Sequence, residues 1–292
     1  AFLVNSGAEA NEAALKVARK ATGRDQIVAM QSGFHGRTMA CLGVTHSGSY
    51  RSHHAPVHGQ AMFVPFGDVD ALAAAVTERT AAVMIEPIQG IAGVIEPPPG
   101  YLSAARRICD RHGALLILDE VQTGIGRTGL AMAWHAEPEC SPDLVTVGKS
   151  LGSGFPVAAL LLTEEMAKTT APGEHGSTFG GAPLAAAAIL AVLDTIEGEG
   201  LLEQAQALGE VARKAKIPGV TGVRGRGCLL GVILDRPARP VIQRLIERGF
   251  LCGTAGDPNC LRLCPPAAMP QNALAELFAN LAELLAQPTL EH

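Results

Sequence analysis

Three short stretches each bring a chemically capable side chain to the end of an apolar run. The first is Leu144-Val145-Thr146-Val147, which leads into Gly148-Lys149 and then the glycine-rich Ser150-Leu151-Gly152-Ser153-Gly154. Lysine resists burial. A lysine desolvated directly after a buried strand has a lowered pKa, and its free amine is a nucleophile able to form imines. The second is Leu115-Leu116-Ile117-Leu118, which runs straight into Asp119-Glu120. Ligands of parallel sheets sit beyond the carboxyl ends of the strands. Asp119 therefore falls at a ligand edge, partly buried and in need of a cationic or hydrogen-bond-donating partner. The third is Asn5-Ser6-Gly7-Ala8-Glu9, where a strand ends at Val4 and a helix opens. Ser6 is a good N-cap, and Glu9 three residues on completes the capping-box pattern. Gly7 lets an anion approach the N–H groups at the positive end of the helix. Singly, the three read equally as a loop lysine, a capping aspartate and a well-made helix start. Together they are an imine-forming lysine, a carboxylate able to keep a pyridine nitrogen protonated, and a phosphate seat. Those are the provisions that pyridoxal 5'-phosphate requires of a protein.

The elements that would position these residues are legible as short apolar runs alternating with helical patterns. Strands are expected at Ala1–Val4, Ile27–Met30, Ala61–Val64, Ala82–Ile85, Leu115–Leu118, Leu144–Val147 and Val157–Leu162. They show little polar alternation, which suits strands buried on both faces. Helix-length segments such as Ala8–Ala21, Val69–Thr77 and Leu102–Arg111 lie between them. This rhythm predicts an α/β fold, a mostly parallel sheet flanked by helices. After about Ile196 the alternation ends. A helix over Gly200–Lys216, an apolar run Cys228–Leu234, a helix near Arg239–Arg248, a Pro-rich Leu261–Pro266 and a closing helix read as a smaller α+β domain. The expected division is a large domain over 1–196 and a small C-terminal one over 197–289.

With these motifs on the page, the chain resembles the class-III aminotransferases, and within them the acetylornithine and ornithine aminotransferase group. The fragments that carry the resemblance are NSGAEANEAALK, FHGRT, EPIQG, LDEVQTGIGRTG, GKSLGSGFP, HGSTFGG, VRGRG and LRLCPP, in one order along nearly the whole chain. The resemblance implies the fold-type-I architecture of pyridoxal-phosphate-dependent transferases and a homodimer with shared active sites. It implies that Lys149 is the Schiff-base lysine, that Asp119 partners the pyridine nitrogen, and that Gln122 bonds the phenolic oxygen of the ring. Val121 would pack on one ring face and Phe34 on the other. Ser6, Gly7 and Ala8 match the phosphate-binding turn. Thr178 matches a residue that reaches the phosphate held by the neighbouring subunit. Arg37 matches the arginine that grips a carboxylate away from the reacting amine. Arg262 matches the one that grips the α-carboxylate of glutamate or 2-oxoglutarate, work for which the planar guanidinium fork is suited. The implied reaction is a ping-pong transfer of an amino group from an amino-acid or ω-amine donor to 2-oxoglutarate. Other reactions on the same cofactor and fold, an aminomutase or an amino-acid epimerase, stay open, as does a non-catalytic, degenerate member of the family.

The sequence departs from the family pattern at two positions. Ile91 follows EPIQG where a glutamate is usual, and that glutamate pairs with the arginine matching Arg262. Ala182-Pro183 follows HGSTFGG where Asn-Pro is usual. The ends also call for an expectation. Ala1-Phe2-Leu3-Val4 reads as the middle of a strand, so an N-terminal segment is expected to be missing. Leu290-Glu291-His292 resembles the start of a histidine tag.

Composition narrows the partners. The net charge of −5 is spread with both signs mixed, which argues against nucleic acid and anionic membranes. No apolar run reaches the length of a membrane span. The seven cysteines are irregularly spaced and read as reduced, in a cytoplasmic protein. Cys260 and Cys264 lie in what reads as a Pro-rich loop. His53, His54 and His58 read as a solvated loop, and no metal is expected. Trp134 reads as packing, and Arg224 and Arg226 are assigned no chemistry.

Overall fold

Each apolar run that ends in a candidate reactive residue becomes a strand of one seven-stranded sheet. The computed structural model describes residues 1–46, 48–51 and 61–287. The strands in chain order are β1 (Phe2–Val4), β2 (Gln26–Met30), β3 (Met62–Val64), β4 (Thr80–Ile85), β5 (Leu115–Asp119), β6 (Leu144–Val147) and β7 (Ala158–Leu162). Their order across the sheet is β1-β7-β6-β5-β4-β2-β3. The pairs β2–β3, β2–β4, β4–β5 and β5–β6 are parallel, whereas β6–β7 and β1–β7 are antiparallel. The sheet is thus mostly parallel, as expected, with an antiparallel edge that strand-by-strand patterning does not announce.

Both faces of the central strands are buried, which accounts for their unbroken apolar character. Val28, Val83, Ile85, Leu116 and Leu118 face helix Tyr101–His112 through Tyr101, Ala105 and Ile108. The alternate residues Ile27, Ala29, Ala82, Met84 and Ile117 face helix α1 (Gly7–Thr22) through Ala14, Leu15 and Ala18. The period of two in β4 and β5 therefore divides one apolar run between two cores.

The chain divides into two compact units. The first comprises residues 1–87, 97–125 and 132–195, and the second residues 88–96, 126–131 and 196–292. Residues 88–96 and 126–131, which the reading of the sequence assigned to the first domain, belong to the second unit. That unit is built on an antiparallel sheet, β8 (Val220–Arg226), β9 (Leu229–Leu234) and β10 (Cys260–Leu263), ordered β10-β9-β8. Helices Leu201–Lys214, Ala238–Glu247 and Gln271–Ala286 cover it through Leu208, Ala212, Leu245, Phe278 and Leu281. Cys260 does not lie in a loop. Cys260–Leu263 pairs with Leu230–Ile233, and Cys260, Leu261 and Leu263 are all buried. Pro258, Pro265 and Pro266 only bound a strand whose core side chains hold it in the sheet. The 16-residue helix Pro183–Gly198 was not expected, and is apolar along most of its length while burying only Ala185.

The two strands that carry the candidate chemistry are tied together at their starts. The Asp143 carboxylate, just before β6, accepts hydrogen bonds from the Leu116 N–H of β5 at 2.7 Å and from Arg106 at 2.6 Å. Arg106 keeps a second, more exposed partner in Asp110 at 2.7 Å. Replacing Asp143 by alanine leaves a strand N–H and a mostly buried guanidinium without this acceptor. The expected cost is about 2 kcal/mol, seen as a lower urea midpoint with an unchanged m-value.

Candidate active site

The site lies in the first unit, at the carboxyl edge of β5 and β6. Asp119 is the last residue of β5 and pairs in register with Thr146 of β6. It is only 3% exposed. A carboxylate so buried needs a full set of donors, and the fold supplies them from three elements. Asn11 on α1 donates to Oδ2 at 2.8 Å, and His35 Nδ1 meets the same oxygen at 2.8 Å. The Val121 N–H donates to Oδ1 at 3.1 Å. Thr146 Oγ1 donates to Asn11 Oδ1 at 2.7 Å and lies 3.4 Å from Asp119 Oδ1. Asn11 also donates to the His35 carbonyl at 2.8 Å, which fixes its amide orientation. His35 Nε2 is buried and has no hydrogen-bond partner among the described residues.

These contacts set the charges. Burial alone would raise the Asp119 carboxyl, but the hydrogen bond and charge of His35, with Val121 and Asn11 behind them, hold it below the usual range. Burial alone would lower His35, and Asp119 overrides it, so the imidazole is held above its ordinary value. Asp119 and His35 thus form a buried pair, 2.8 Å apart, in which each favours the charged form of the other. Glu86 ends the run of β4 much as Asp119 ends that of β5. Its Oε1 accepts from the Phe34 N–H at 2.9 Å, and burial pushes it up to about 7 against the opposing charge of His35.

Lys149 follows β6 after Gly148. Its backbone sits at φ 42°, left-handed for a residue with a side chain, a conformation that clusters at functional sites. Nζ donates to Gln122 Oε1 at 2.7 Å. The expectation that Lys149 is desolvated is corrected, because its side chain is exposed. It stands past the last strand residue, where the sheet no longer covers it.

Gly7 shows how closely the third stretch joins the other two. A Cβ there would lie 2.6 Å from Val121 Cγ1, so only glycine lets the start of α1 meet the turn after β5. A Cβ on Gly148 would in turn lie 3.5 Å from Val121 Cγ1 and 3.7 Å from the Gly7 nitrogen. Ser6 and Glu9 form the expected capping box. Glu9 takes up the N–H groups of Asn5 at 2.7 Å and Ser6 at 2.9 Å, and Ser6 caps the Glu9 N–H at 3.3 Å. Among the described residues the amides of Gly7 and Ala8 have no acceptor.

The other expected residues fall as follows. Phe34 is half-buried, with its ring 5.3 Å from that of Tyr50, and Arg37 is exposed with its guanidinium 4.5 Å from the centroid of the Tyr50 ring. Thr178 is exposed, in a loop that Ser177 ties to Asn5 at 3.0 Å. Arg262, on β10, and Ile91 both belong to the second unit. Arg262 Nε is buried without a hydrogen-bond partner. His53, His54 and His58 lie outside the described residues. Sequence reasoning missed Asn11, His35, Glu86 and Thr146. The available signals were an asparagine on the apolar face of α1, a threonine inside an apolar strand, and a carboxylate directly after β4.

A helix start with open amides, a carboxylate held ionised and a lysine amine at one sheet edge are the provisions made by enzymes that hold an aldehyde cofactor on a lysine and use it as an electron sink. Residues 1–285 match the family model "Aminotransferase class-III". The chain belongs to that family of pyridoxal-phosphate-dependent aminotransferases. It is 47% identical to the acetylornithine aminotransferase of Mycobacterium tuberculosis (strain ATCC 25618 / H37Rv), over 97% of this chain and 72% of that protein. It is 46% identical to that of Mycobacterium leprae (strain TN), over 97% of this chain and 71% of that protein. Among solved structures, an ornithine aminotransferase from Toxoplasma gondii, reported with partial occupancy of PLP at its active site, superposes with a TM-score of 0.90 at 32% identity. That match covers 98% of this chain and 72% of the other.

The buried acids make a pH prediction with a definite sign. Folded Glu86 holds its proton up to about pH 7, whereas an ordinary glutamic acid releases it near 4.5. The folded chain therefore binds the extra proton between those values, and this contribution to stability is lost as pH rises through them. His35, raised from 6.5, loses its own contribution as pH rises from 6.5 through its folded value, and Asp119, lowered, loses its contribution only in acid. Glu86→Gln should thus gain on the wild-type protein by up to about 3 kcal/mol between pH 5 and 8 in urea unfolding. Parallel stability curves for the two proteins would refute the burial argument.

Proposed function

We propose that this aminotransferase moves the terminal amino group of an acetylornithine-type donor to 2-oxoglutarate, in two half-reactions on one site. The observation that carries the reading is the convergence of Lys149, Asp119 and the start of α1 at one edge. The residues fit pyridoxal phosphate. Gly7 and Ala8 offer unfilled amides for a phosphate. Asp119 is held anionic by buried donors and can accept the proton-bearing ring nitrogen. Val121 packs against Gly7 where a ring would lie, and Gln122, already bonded to Lys149 Nζ, can turn its amide to a phenolic oxygen. When bound, the cofactor supplies an electron sink for a carbanion at the donor carbon.

The chain's own residues do the rest. Lys149 would hold the cofactor through Nζ, and that amine, once free, can accept a proton from the donor carbon. Asp119, kept ionised by His35, would hold a proton on the ring nitrogen, and Asn11 and Thr146 keep its oxygens in place. Phe34 and Val121 would pack on the two faces of the ring. Arg37 grips the carboxylate distal to the reacting amine, and Arg262 grips the α-carboxylate of 2-oxoglutarate. We assign catalysis and cofactor binding to the segment 1–196, and the part of Arg262 to the segment 197–289.

The protein is proposed to act as a homodimer with shared active sites. Among the described residues Thr178 has no hydrogen-bond partner, and it would meet the phosphate held by the other subunit. Beside it, Phe179, Leu184 and Leu190 are 70%, 73% and 61% exposed. Apolar side chains so exposed on one loop and helix are what a dimer interface supplies and a monomer leaves costly. All seven cysteines are free, which fits the reducing cytoplasm.

The test is the visible spectrum of the protein loaded with pyridoxal phosphate. The lysine-bound cofactor should give a band that Lys149→Ala lacks, and N-acetylornithine without acceptor should discharge it. Absence of the band would end the cofactor assignment; a band that no ω-amine discharges would end the donor assignment. Leu190→Glu should shift sedimentation from dimer to monomer and lower activity at least tenfold, whereas an unchanged dimer would remove this face from the interface.

A further inference from the structure

We infer that Tyr50 is a positioning residue, which aims Arg37 at a carboxylate of the donor and so sets the preference for carboxylate-bearing amines; this rests on the reading of Arg37 given above. The backbone on either side of Arg37 is clamped. Gly36, at φ 124°, packs so closely on α1 that a Cβ there would lie 2.9 Å from Ala8 Cβ. On the other side, Glu12 of α1 accepts from Thr38 Oγ1 at 2.6 Å and from the Ala40 N–H at 2.9 Å. Arg37 therefore leaves the backbone next to the turn that offers its amides to a phosphate. The freedom that remains is in its long side chain.

Tyr50 is what holds that side chain. The guanidinium lies 4.5 Å from the centroid of the Tyr50 ring, and among the described residues Arg37 has no other recorded partner. The kind of partner matters. A carboxylate would orient the guanidinium only by occupying its in-plane donors, and a substrate would have to displace it. An aromatic ring touches the π-face and leaves all five N–H donors at the edge open to a bidentate anion. The ring is itself fixed. Phe34 meets it at 5.3 Å and 69°, edge to face, and the Phe34 backbone is anchored by Glu86 at 2.9 Å. The next residue, His35, is the partner of Asp119. One run of contacts thus links the ring-nitrogen acid to the group that grips the far end of the donor.

The test compares the wild-type protein loaded with pyridoxal phosphate with Tyr50→Leu, Tyr50→Phe and Arg37→Leu. The two donors are N-acetylornithine and its decarboxylated counterpart, N-acetyl-1,4-diaminobutane. Tyr50→Leu should lower the ratio of their kcat/KM values about three- to tenfold, the range of a partly exposed cation–π contact. The change should appear in KM for the carboxylated donor and not in kcat. Tyr50→Phe should keep the ratio within about twofold, since the ring and not the hydroxyl carries the stack. In calorimetry, N-acetylnorvaline, which has the carboxylate but no reactive amine, should bind Tyr50→Leu more weakly by the same factor. An unchanged ratio and unchanged N-acetylnorvaline affinity in Tyr50→Leu would overturn the inference while Arg37→Leu still lost the preference. Equal losses on both donors would also overturn it, because that is the mark of general packing. If Arg37→Leu itself leaves the ratio unchanged, the assignment of Arg37 fails and the role of Tyr50 falls with it.

Discussion

A carboxylate that is almost wholly removed from water is the constraint on which the site depends. Asp119 can stay ionised there only if donors reach it from outside its own strand. The donors come from α1, from the turn after β2, and from the backbone just beyond β5. Each donor is fixed in turn. Asn11 is held by the His35 carbonyl and by Thr146, and the His35 backbone is held by Thr45 at 3.0 Å. Satisfying one buried charge therefore draws two strands, a helix and a loop to a single point. The group proposed to tune the cofactor is also the group that organises this part of the fold.

Strand direction then settles which other residues share that point. Because β5 and β6 are parallel and in register at Asp119 and Thr146, the chain leaves both strands on the same side. Lys149 emerges three residues past Thr146, close enough to bond Gln122, which itself lies three residues past Asp119. Antiparallel strands would have sent the lysine to the opposite edge. The left-handed backbone at Lys149 is a local cost of turning sharply out of β6. The packed strands and the Gly7–Val121 approach hold it in place.

Much of this was legible in the sequence, and the limits follow from physics. Apolar runs of four to six residues announced the strands, because burial on both faces leaves no room for polar alternation. Lys149 and Asp119 stood out because a charged residue ending such a run is unusual. Asn11, His35 and Thr146 did not. Their polarity is explained only by what approaches them from elsewhere in the chain, and a periodicity argument reads just one element at a time. The helix Pro183–Gly198 escaped for a related reason. Its face contrast is weak because apolar residues surround it, and its exposed side answers to no core in its own chain. The β10 strand was hidden by flanking prolines, although Leu261 and Leu263 carried its core signal.

The second unit raises the converse problem, a charge without a partner. Arg262 lies along Gly253 on β10, its Nε is buried and unbonded, and among the described residues no carboxylate pairs with it. Ile91, half-buried in the same unit, stands where relatives in the resemblance carry the glutamate that would pair with the arginine. An unneutralised, partly desolvated guanidinium is a standing demand for an anion. On the proposed reading, that demand is met by the α-carboxylate of the acceptor, with no internal ion pair to break first. A gate built from a glutamate trades acceptor affinity for a switch between two kinds of amine. On the same proposed reading, with isoleucine in its place, discrimination between donors would rest on the carboxylate grip assigned to Arg37.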